Sequence, residues 1–496
     1  MAGRGRRASD ERPVTGAPSS PAPERTAGRA MPAPARSSVP SPTAGRDVPV
    51  SLDSPVDLGG LTLRNRLYRA PLLEHAGEGP DAVGRLVDEL EPAAASGAGL
   101  VVQGATPVRG REGRAAPGMT GFDDPDRVAS MRALTDAVHD HGGRVFCQLA
   151  HGGLRSMEVW HRAYRHEHDV VQRTVSAPPW PLRVAETLGF VDFDARPLST
   201  EAVYDLAADF GSAAERAVAA GYDGIHLAGA TMGIFQQFLS PFYNDRDDEF
   251  GGSLGNRVRF FEAVLEAIRD RVGADVPVVT KVPAETRTPR WIREHITLEE
   301  GVRAAERLAE AGYDALVPVT ESPFWDHSII RGSFPERAWD DERFAEGYEA
   351  AFGGPLRARA VRLASRLDAR GNGFEPAWNA DFCRRVRERV DVPVLCVGGL
   401  RERERMDRLL GEACDMVGVG RPFYAEPRLP ARLLADPDAR AVCENCNNCV
   451  VPQAAGEVGV CRTPEVLRER GRLEQAGAYD GEPASSGEGP ASTEDR

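Results

Sequence analysis

The sequence predicts an α/β fold, and within that class a TIM (β/α)8 barrel with long lid loops and disordered termini. Eight short apolar runs alternate with segments of helical period over about 400 residues, which is the pattern of repeated β-α units. Each run is apolar almost throughout, as expected for a parallel strand that is buried on both faces. A doubly wound sheet is the second choice, but the G-x-G-x-x-G that it would need after its first strand is missing.

The strands and helices follow from these periods. The eight predicted strands are 67–73, 98–108, 144–151, 223–229, 277–283, 314–320, 393–399 and 415–421. The helices between and after them are predicted at 81–97, 125–142, 200–220, 256–272, 298–312, 376–389, 402–411 and 428–434. Glycines such as Gly97 and Gly312 stand where these helices should stop, because glycine readily adopts the left-handed conformation that ends a helix.

Two connections are much longer than a plain turn from strand to helix, namely 152–199 and 321–375. Connections of this length in a compact domain are usually lids or binding elements. Packed surface excursions without a binding role are the alternative interpretation.

Four segments differ in composition. Residues 1–46 form a basic leader rich in Pro, Ala and Arg, which has too few large apolar side chains to fold and is expected to be disordered. The barrel is predicted over 47–440 and is followed by a Cys-rich extension at 441–470. An acidic tail at 471–496 is again expected to be disordered.

Charge and composition exclude several classes of partner. A formal net charge of -14 argues against nucleic acid, and no window reaches the ~18 consecutive apolar residues of a membrane span. The basic start lacks the apolar core of a signal peptide, and eight cysteines in 496 residues are too sparse for a disulfide framework. We therefore expect a cytoplasmic protein with a small-molecule substrate, and a homo-oligomer stays open.

Glycines at the ends of the last two strands predict a phosphate site. In TIM barrels the loops after strands seven and eight commonly bind phosphate, because glycine lets backbone N–H groups approach an anion. Here these strands end in Gly398-Gly399 and in Gly420-Arg421. The Arg421 guanidinium would close such a site with a charge-assisted hydrogen bond.

One long segment is specific enough to suggest a family. The segment GYDGIHLAGATMGIFQQFLSPFYNDRDDEFGGSLGNRVRFF at 221–261 resembles the signature region of the Old Yellow Enzyme family of NADH:flavin oxidoreductases. Shorter likenesses occur in the expected order at 61–74, 148–156 and 415–430. The chain also resembles the barrel part of a branch that includes 2,4-dienoyl-CoA reductase and trimethylamine dehydrogenase.

The resemblance implies a cofactor and a site for it. FMN, reduced by NADH or NADPH, would lie at the carboxyl end of the barrel, with the glycines and Arg421 on its phosphate. The residues matching the family's contacts to the flavin ring are Ala70, Pro71, Leu72, Gly104 and Gln148.

Lys281 matches the family's cation beside flavin N1, and it is the only lysine among 61 basic residues. Reduced flavin is anionic at N1, so a positive charge there stabilises it and raises its reduction potential. A lysine inside the barrel paired with a carboxylate is the alternative interpretation.

The substrate side matches the family poorly. Two donors that grip the substrate's carbonyl oxygen and a tyrosine that protonates the product are replaced by Ala228, Thr231 and Gly233. Thr231 keeps a hydroxyl donor, and His75 after the first strand is a candidate proton donor. The candidate catalytic residues are therefore His75, Thr231 and Lys281.

Four cysteines follow the barrel as Cys443-x2-Cys446-x2-Cys449-x11-Cys461. Four thiolates at such spacing suit tetrahedral Zn or a [4Fe–4S] cluster. A structural Zn site, a cluster fed by another protein and a metal-free remnant all remain open.

The function implied by the resemblance is that of an FMN-dependent NAD(P)H oxidoreductase of the Old Yellow Enzyme type. It would reduce an electron-poor alkene or a related acceptor in an atypical substrate pocket. The alternative is a flavin-binding or partner-binding barrel that has lost ene-reductase turnover.

Overall fold

A computed structural model describes residues 50–77, 79–122, 125–157, 161–286, 292–323, 326–454 and 456–480. The predicted leader at 1–46 and the tail after residue 480 lie outside the described residues. None of the described helices is long and apolar enough to cross a membrane.

The strands, in chain order, are β1 (Val56–Leu58), β2 (Leu61–Leu63), β3 (Leu67–Arg69), β4 (Leu100–Pro107), β5 (Arg144–Ala150), β6 (Gln172–Thr174), β7 (Ala195–Pro197), β8 (Gly224–Leu227), β9 (Val278–Glu285), β10 (Ala315–Glu321), β11 (Leu395–Val397) and β12 (Met416–Val419). The helices are α1 (Ala82–Ala95), α2 (Gly110–Gly113), α3 (Pro125–Ser130), α4 (Arg132–Asp140), α5 (Arg162–Glu167), α6 (Trp180–Thr187), α7 (Thr200–Ala219), α8 (Ile234–Leu239), α9 (Leu254–Val272), α10 (Leu298–Ala311), α11 (Glu336–Asp340), α12 (Glu342–Phe352), α13 (Pro355–Gly371), α14 (Ala380–Arg387), α15 (Arg403–Leu409), α16 (Pro422–Ala425), α17 (Leu429–Ala435), α18 (Val450–Ala454) and α19 (Pro464–Gln475).

Eight strands form one parallel sheet in the order β10-β9-β8-β5-β4-β3-β12-β11. A further parallel bridge between Leu316 and Val394 joins the two outer strands, so the sheet closes into a barrel. The eight strands are those expected from the sequence, and the prediction of a TIM barrel is confirmed.

Helix caps explain where the helices around the barrel begin. The Ser199 hydroxyl accepts a hydrogen bond from Ala202 N at the start of α7, and Ser253 does the same at the start of α9. Thr297 and Glu300 cap each other's backbone groups at the start of α10. The cap at Ser253 makes α9 begin two residues earlier than its apolar period suggests.

Two hydrophobic cores hold the barrel together. The larger one lies between the sheet and the surrounding helices and includes Leu134, Phe210 and Phe261. The other fills the barrel interior with residues such as Tyr68 and Phe146, together with Leu58 and Leu63 of the β1-β2 hairpin. The interior is therefore packed below the layer that carries the polar side chains of the site.

The two long connections contain structure of their own. Residues 151–199 carry α5, α6 and the parallel pair β6-β7, and residues 322–379 carry α11, α12 and α13. Side chains of both segments share a separate small core that includes Val191, Trp339 and Phe352.

The chain after the barrel is ordered beyond residue 470. Helix α19 runs to Gln475, and the Tyr479 hydroxyl donates a hydrogen bond to Glu426 at 2.7 Å. Gln453 of α18 donates to the carbonyl of Leu73, so the Cys-rich extension is attached to the loop after β3.

Candidate active site

Three polar side chains point into the barrel at the carboxyl ends of adjacent strands. Gln148 of β5 lies opposite His226 of β8, and Gln148 Nε2 is 3.2 Å from His226 Nδ1. Lys281 of β9 lies two residues beyond Val279, the partner of His226 in the register, and so occupies the same face one step nearer the mouth. The register therefore places Gln148, His226 and Lys281 on the inward face of the sheet.

This row holds polar atoms without partners. His226 is buried and its Nε2 has no hydrogen bond, while burial and the nearby Lys281 lower its pKa to about 3. Lys281 is half-buried, and burial lowers its pKa although Glu321 opposes that shift. Among the described residues its ammonium makes no hydrogen bond and no ion pair within 4.0 Å.

A carboxyl group completes the row. Glu321 is the last residue of β10 and is 1% exposed; its Oε1 accepts a hydrogen bond from Thr231 N at 2.6 Å. Its Oε2 is buried without a partner. Burial raises the pKa of Glu321 to about 8, which the Thr231 hydrogen bond and the charge of Lys281 only partly oppose. We call Gln148, His226, Lys281 and Glu321 the polar cluster.

Glu285 pairs with Glu321 in the sheet, but both of its carboxylate oxygens have hydrogen-bond partners. Its carboxylate accepts hydrogen bonds from Gln236 at 2.9 Å, Ser240 at 2.8 Å and Ile296 N at 2.7 Å. Two buried carboxyl groups on neighbouring strands therefore differ in one respect: only Glu321 keeps an oxygen free for a ligand.

The loop after β8 is strained where the family's substrate residues are replaced. Thr231 and Met232 have φ angles of 73° and 56°, a left-handed conformation that costs a β-branched residue about 1–3 kcal/mol. The Thr231 side chain is exposed while its N–H is held by Glu321. Ala228 and Gly233 supply no side-chain donor, so the Thr231 hydroxyl is the polar group that this loop offers.

The segment after β3 continues the sheet, and Gly104 of the neighbouring strand packs against it. Ala70 N donates to Val419 O at 2.9 Å and so continues the sheet toward Pro71 and Leu72. A methyl group added at Gly104 would lie 1.2 Å from the carbonyl oxygen of Leu72, and Gly104 N donates to Glu74 at 2.9 Å. Gly104 therefore serves close packing, and its N–H is bonded to Glu74 and so is not free to donate to a flavin.

His75 lies apart from the polar cluster. It has a φ of 51°, is buried, and packs against Gly118 in the loop after β4. Both ring nitrogens lack partners, and burial lowers the pKa of His75 to about 4. No hydrogen bond or ion pair within the described part of the chain connects it to Thr231 or Lys281.

The glycines after β11 and β12, with Arg421, form what we call the glycine end: Gly398, Gly399, Gly420 and Arg421. Gly398 and Gly399 have φ angles of 116° and 67°. Methyl groups added to them would lie 2.7 Å from the Trp378 ring and 2.4 Å from Glu375 O. These two glycines therefore allow the segment before α14 to pack closely against the end of β11. The sequence did not indicate this packing role.

Arg421 also differs from the expectation. Its guanidinium donates to Ile330 O at 2.9 Å, to Arg331 O at 3.1 Å and to Asn447 Oδ1, so its donors bind the protein's own carbonyl groups rather than facing an anion. The backbone N–H groups of Gly399 and Arg421, in contrast, donate no hydrogen bond to any residue that the structure describes.

The four C-terminal cysteines line one small cavity beside Arg421. Cys446 Sγ is 3.0 Å from Thr463 Oγ1. Burial raises the pKa of Cys449 to about 12, so the Cys449 thiol is protonated at neutral pH. Within the described ranges no group of three or more Cys, His, Asp or Glu side chains is arranged to hold a metal ion. The predicted Zn or [4Fe–4S] at Cys443, Cys446, Cys449 and Cys461 is therefore not supported.

Sequence reasoning missed Glu321, although a signal was available. It is the first residue after the predicted strand 314–320, and catalytic groups of TIM barrels follow the carboxyl ends of strands. The packing of Trp378 against Gly398 was missed as well. No local sequence pattern distinguishes a glycine that makes room for a side chain from one that makes room for a phosphate group.

Comparison with known proteins agrees with this geometry. The profile of the family described as "NADH:flavin oxidoreductase / NADH oxidase family" matches residues 51–317. The chain is 26% identical to the 4,4'-dithiodibutanoate disulfide reductase of Rhodococcus erythropolis, over 86% of this chain and 98% of that protein. It is 27% identical to the cinnamate reductase of Clostridium sporogenes, over 78% of this chain and 53% of that protein.

A solved structure with a similar fold is morphinone reductase, with a TM-score of 0.56 and 21% identity over 81% of this chain and 94% of that chain. The chain spans about half the length of several curated relatives that it matches. The resemblance noted in the sequence is confirmed: the chain belongs to the NADH:flavin oxidoreductase / NADH oxidase family.

Proposed function

We propose that this chain is an FMN-dependent NAD(P)H oxidoreductase that reduces an electron-poor alkene or a related acceptor. The observation that carries the proposal is the polar cluster, in which the ammonium of Lys281 points into the barrel mouth without an ion pair among the described residues. A buried or half-buried charge without a partner is costly, which favours a ligand that supplies the missing negative charge.

The residues present fit both the flavin ring and the phosphate group of FMN. The groups that would bind the phosphate differ from those expected from the sequence. The ring edge of a flavin alternates donors and acceptors, and Gln148, Lys281 and the free Nε2 of His226 offer matching groups. The phosphate would be held by the backbone N–H groups of Gly399 and Arg421 rather than by the Arg421 guanidinium.

When bound, FMN supplies hydride transfer between NAD(P)H and the acceptor. The chain's own residues then have separate tasks. The Lys281 charge stabilises negative charge at the ring edge, and the Gln148 amide orients that edge through hydrogen bonds. Ala70, Pro71 and Leu72 would pack along the ring as extended backbone.

The class of acceptor rests on the substrate side of the pocket and on the relatives. One relative is named for cinnamate and another, of nearly matching length, for a disulfide. At positions 228, 231 and 233 the exposed Thr231 hydroxyl is the one side-chain donor that this chain offers to an acceptor. A barrel that binds flavin or a partner without turnover is the second candidate, and the loss of donors at Ala228 and Gly233 favours it.

The test is spectroscopic. The purified protein should show flavin absorbance, and anaerobic NADH or NADPH should bleach it. Reoxidation by cinnamate, by 4,4'-dithiodibutanoate and by 2-cyclohexenone then identifies the acceptor class. A preparation that is colourless and does not take up added FMN contradicts the proposal, and flavin that bleaches but is reoxidised by none of the three acceptors favours the second candidate.

A further inference from the structure

We propose that Glu321 is the proton donor of this active site and takes the role that a tyrosine has in the family. The proposal rests on the function proposed above and extends it by naming the residue that protonates the reduced alkene. It comes from the placement of one buried carboxyl group: at the carboxyl end of β10, beside Lys281 and bonded to the loop that replaces the family's substrate residues.

The geometry gives Glu321 one occupied and one unoccupied oxygen. Oε1 is fixed by Thr231 N at 2.6 Å, which holds the carboxyl group against the substrate loop. Oε2 is buried and has no partner among the residues that the structure describes. Buried polar atoms are almost always satisfied, so an exception at a barrel mouth marks an atom whose partner is a ligand.

The charged groups around Glu321 favour a carboxyl group that holds its proton at neutral pH. Lys281 on β9 and Arg155 lower its pKa, whereas burial and the neighbouring Glu285 raise it, and the sum is a pKa of about 8. A carboxylic acid that is protonated near pH 7 and can release its proton just above it has the property that general acid catalysis requires.

Other acid candidates near the mouth lack one of these properties. Burial lowers the pKa of His226 to about 3 and that of His75 to about 4, so neither carries an extra proton at neutral pH. Burial raises the pKa of Glu74 to about 7, but its two oxygens are bonded to Arg69 and to Gly104 N, both at 2.9 Å.

The proposed step balances with NAD(P)H as the reductant. The alkene carbon distant from the activating group gains a hydride and forms a C–H bond, while the π pair of the double bond moves to the adjacent carbon. That carbon takes the proton of Glu321, and the O–H electron pair stays on the carboxylate. NAD(P)H is oxidised to NAD(P)+, the alkene gains two hydrogens, and one proton taken up from the solvent restores the acid form of Glu321.

The first experiment compares the two half-reactions of the flavin-loaded protein in wild type, Glu321→Gln, Glu321→Asp and Glu285→Gln. Bleaching by NAD(P)H should stay within about threefold in Glu321→Gln, whereas reoxidation by the alkene should slow by about 10²–10³. Glu321→Asp keeps a carboxyl group and should recover part of the rate. Glu285→Gln removes the buried carboxyl group whose oxygens are already satisfied and serves as the matched control.

The pH profile separates a proton donor from a merely structural group. Reoxidation by the alkene should fall as pH rises through about 8 in wild type, and this fall should be absent in Glu321→Gln. In Glu285→Gln the fall should persist but lie at a lower pH, because Glu285 contributes to the raised pKa of Glu321. Equal slowing of both half-reactions, or an unchanged profile in Glu321→Gln, would overturn the proposal. A protein that binds no flavin would instead overturn the proposed function, and the step with it.

A second measurement needs no turnover. A pKa raised from about 4.3 in the unfolded chain to about 8 means that the folded state holds the extra proton between these values. The contribution of Glu321 to the free energy of unfolding should therefore decrease as pH rises from about 4.5 to 8 and level off above. Glu321→Gln should remove this component, and parallel pH curves for wild type and variant between pH 6 and 9 would overturn the assignment.

Discussion

In the polar cluster, at the ends of β8 and β10, buried polar atoms have no hydrogen-bond partner among the described residues. At the glycine end, after β11 and β12, the side-chain donors already bind other groups of the protein, and the space beside the glycines is filled. His226 Nε2 and Glu321 Oε2 have no hydrogen-bond partner in the described part of the chain. Arg421 donates to Ile330 O and Arg331 O, and Gly398 and Gly399 admit Trp378 and Glu375.

The difference separates groups that stabilise the fold from groups kept for a ligand. A satisfied buried hydrogen bond contributes about 0.5–1.5 kcal/mol, and about 1.5–3 kcal/mol when one partner is charged. A buried polar atom without a partner costs about 1–3 kcal/mol. Substitutions at the glycine end should therefore lower stability before they affect any ligand, and substitutions in the polar cluster should do the reverse.

The largest effect is expected from Arg421→Ala. Removing the guanidinium leaves the carbonyl groups of Ile330 and Arg331 and the Asn447 amide oxygen without their donor. We expect the free energy of unfolding, measured in urea, to fall by about 3–5 kcal/mol.

Arg408→Ala is the matched control, because Arg408 is exposed and, among the described residues, forms an ion pair only with Glu404 of its own helix. It should change stability by less than about 0.5 kcal/mol. If Arg421→Ala kept full stability and lost flavin, the phosphate role expected from the sequence would be correct. The distinction drawn here between the polar cluster and the glycine end would then be wrong.

The next effect is expected from Gly399→Ala. Gly399 has a φ of 67°, and an added methyl group would meet Glu375 O at 2.4 Å. Strain and overlap together should cost about 1–3 kcal/mol of unfolding free energy. Gly373→Ala is the control, since a methyl group there meets nothing within 4 Å and should be neutral or slightly stabilising. Equal stability of the two variants would argue that Gly399 is present for an anion.

The sequence predicted the barrel well and the site only in part, for physical reasons. Strands of a parallel barrel are buried on both faces, so their apolar runs are continuous and all eight could be recognised. Long-range partners are different: nothing near Arg421 in the sequence shows that Ile330 and Asn447 will bind its guanidinium.

Glycines illustrate the same limit. A glycine after a strand can serve an anion, a turn or a neighbouring side chain, and only the fold reveals that Trp378 packs on Gly398. The free oxygen of Glu321 is likewise a property of the whole pocket, since Glu285 on the next strand is the same residue type and is fully bonded.

A smaller effect is expected from His226→Gln as a function of pH. The folded pKa of His226 is about 3, below the value of about 6.5 in an unfolded chain, so only the unfolded state takes up a proton between these values. This favours unfolding as pH falls below about 6.5, by about 1.4 kcal/mol per pH unit. Urea unfolding between pH 4.5 and 7.5 should show a shallower loss in His226→Gln. An identical slope would mean that His226 is not held neutral in the polar cluster.

The smallest effect is expected from Lys281→Met, and it should appear in the cofactor rather than in the fold. Lys281 makes no ion pair within 4.0 Å among the described residues, and methionine replaces its chain with an apolar one of similar length, so the flavin-free protein should change in stability by less than about 1 kcal/mol. With FMN bound, loss of the positive charge should lower the two-electron reduction potential by about 30 mV, equivalent to about 1.4 kcal/mol. Lys281→Arg keeps the charge and should stay near the wild-type potential. Spectroelectrochemical titration of the three proteins decides the matter: if all three potentials coincide, the Lys281 charge does not act on the flavin, and the free polar atoms of the polar cluster are not explained by flavin binding.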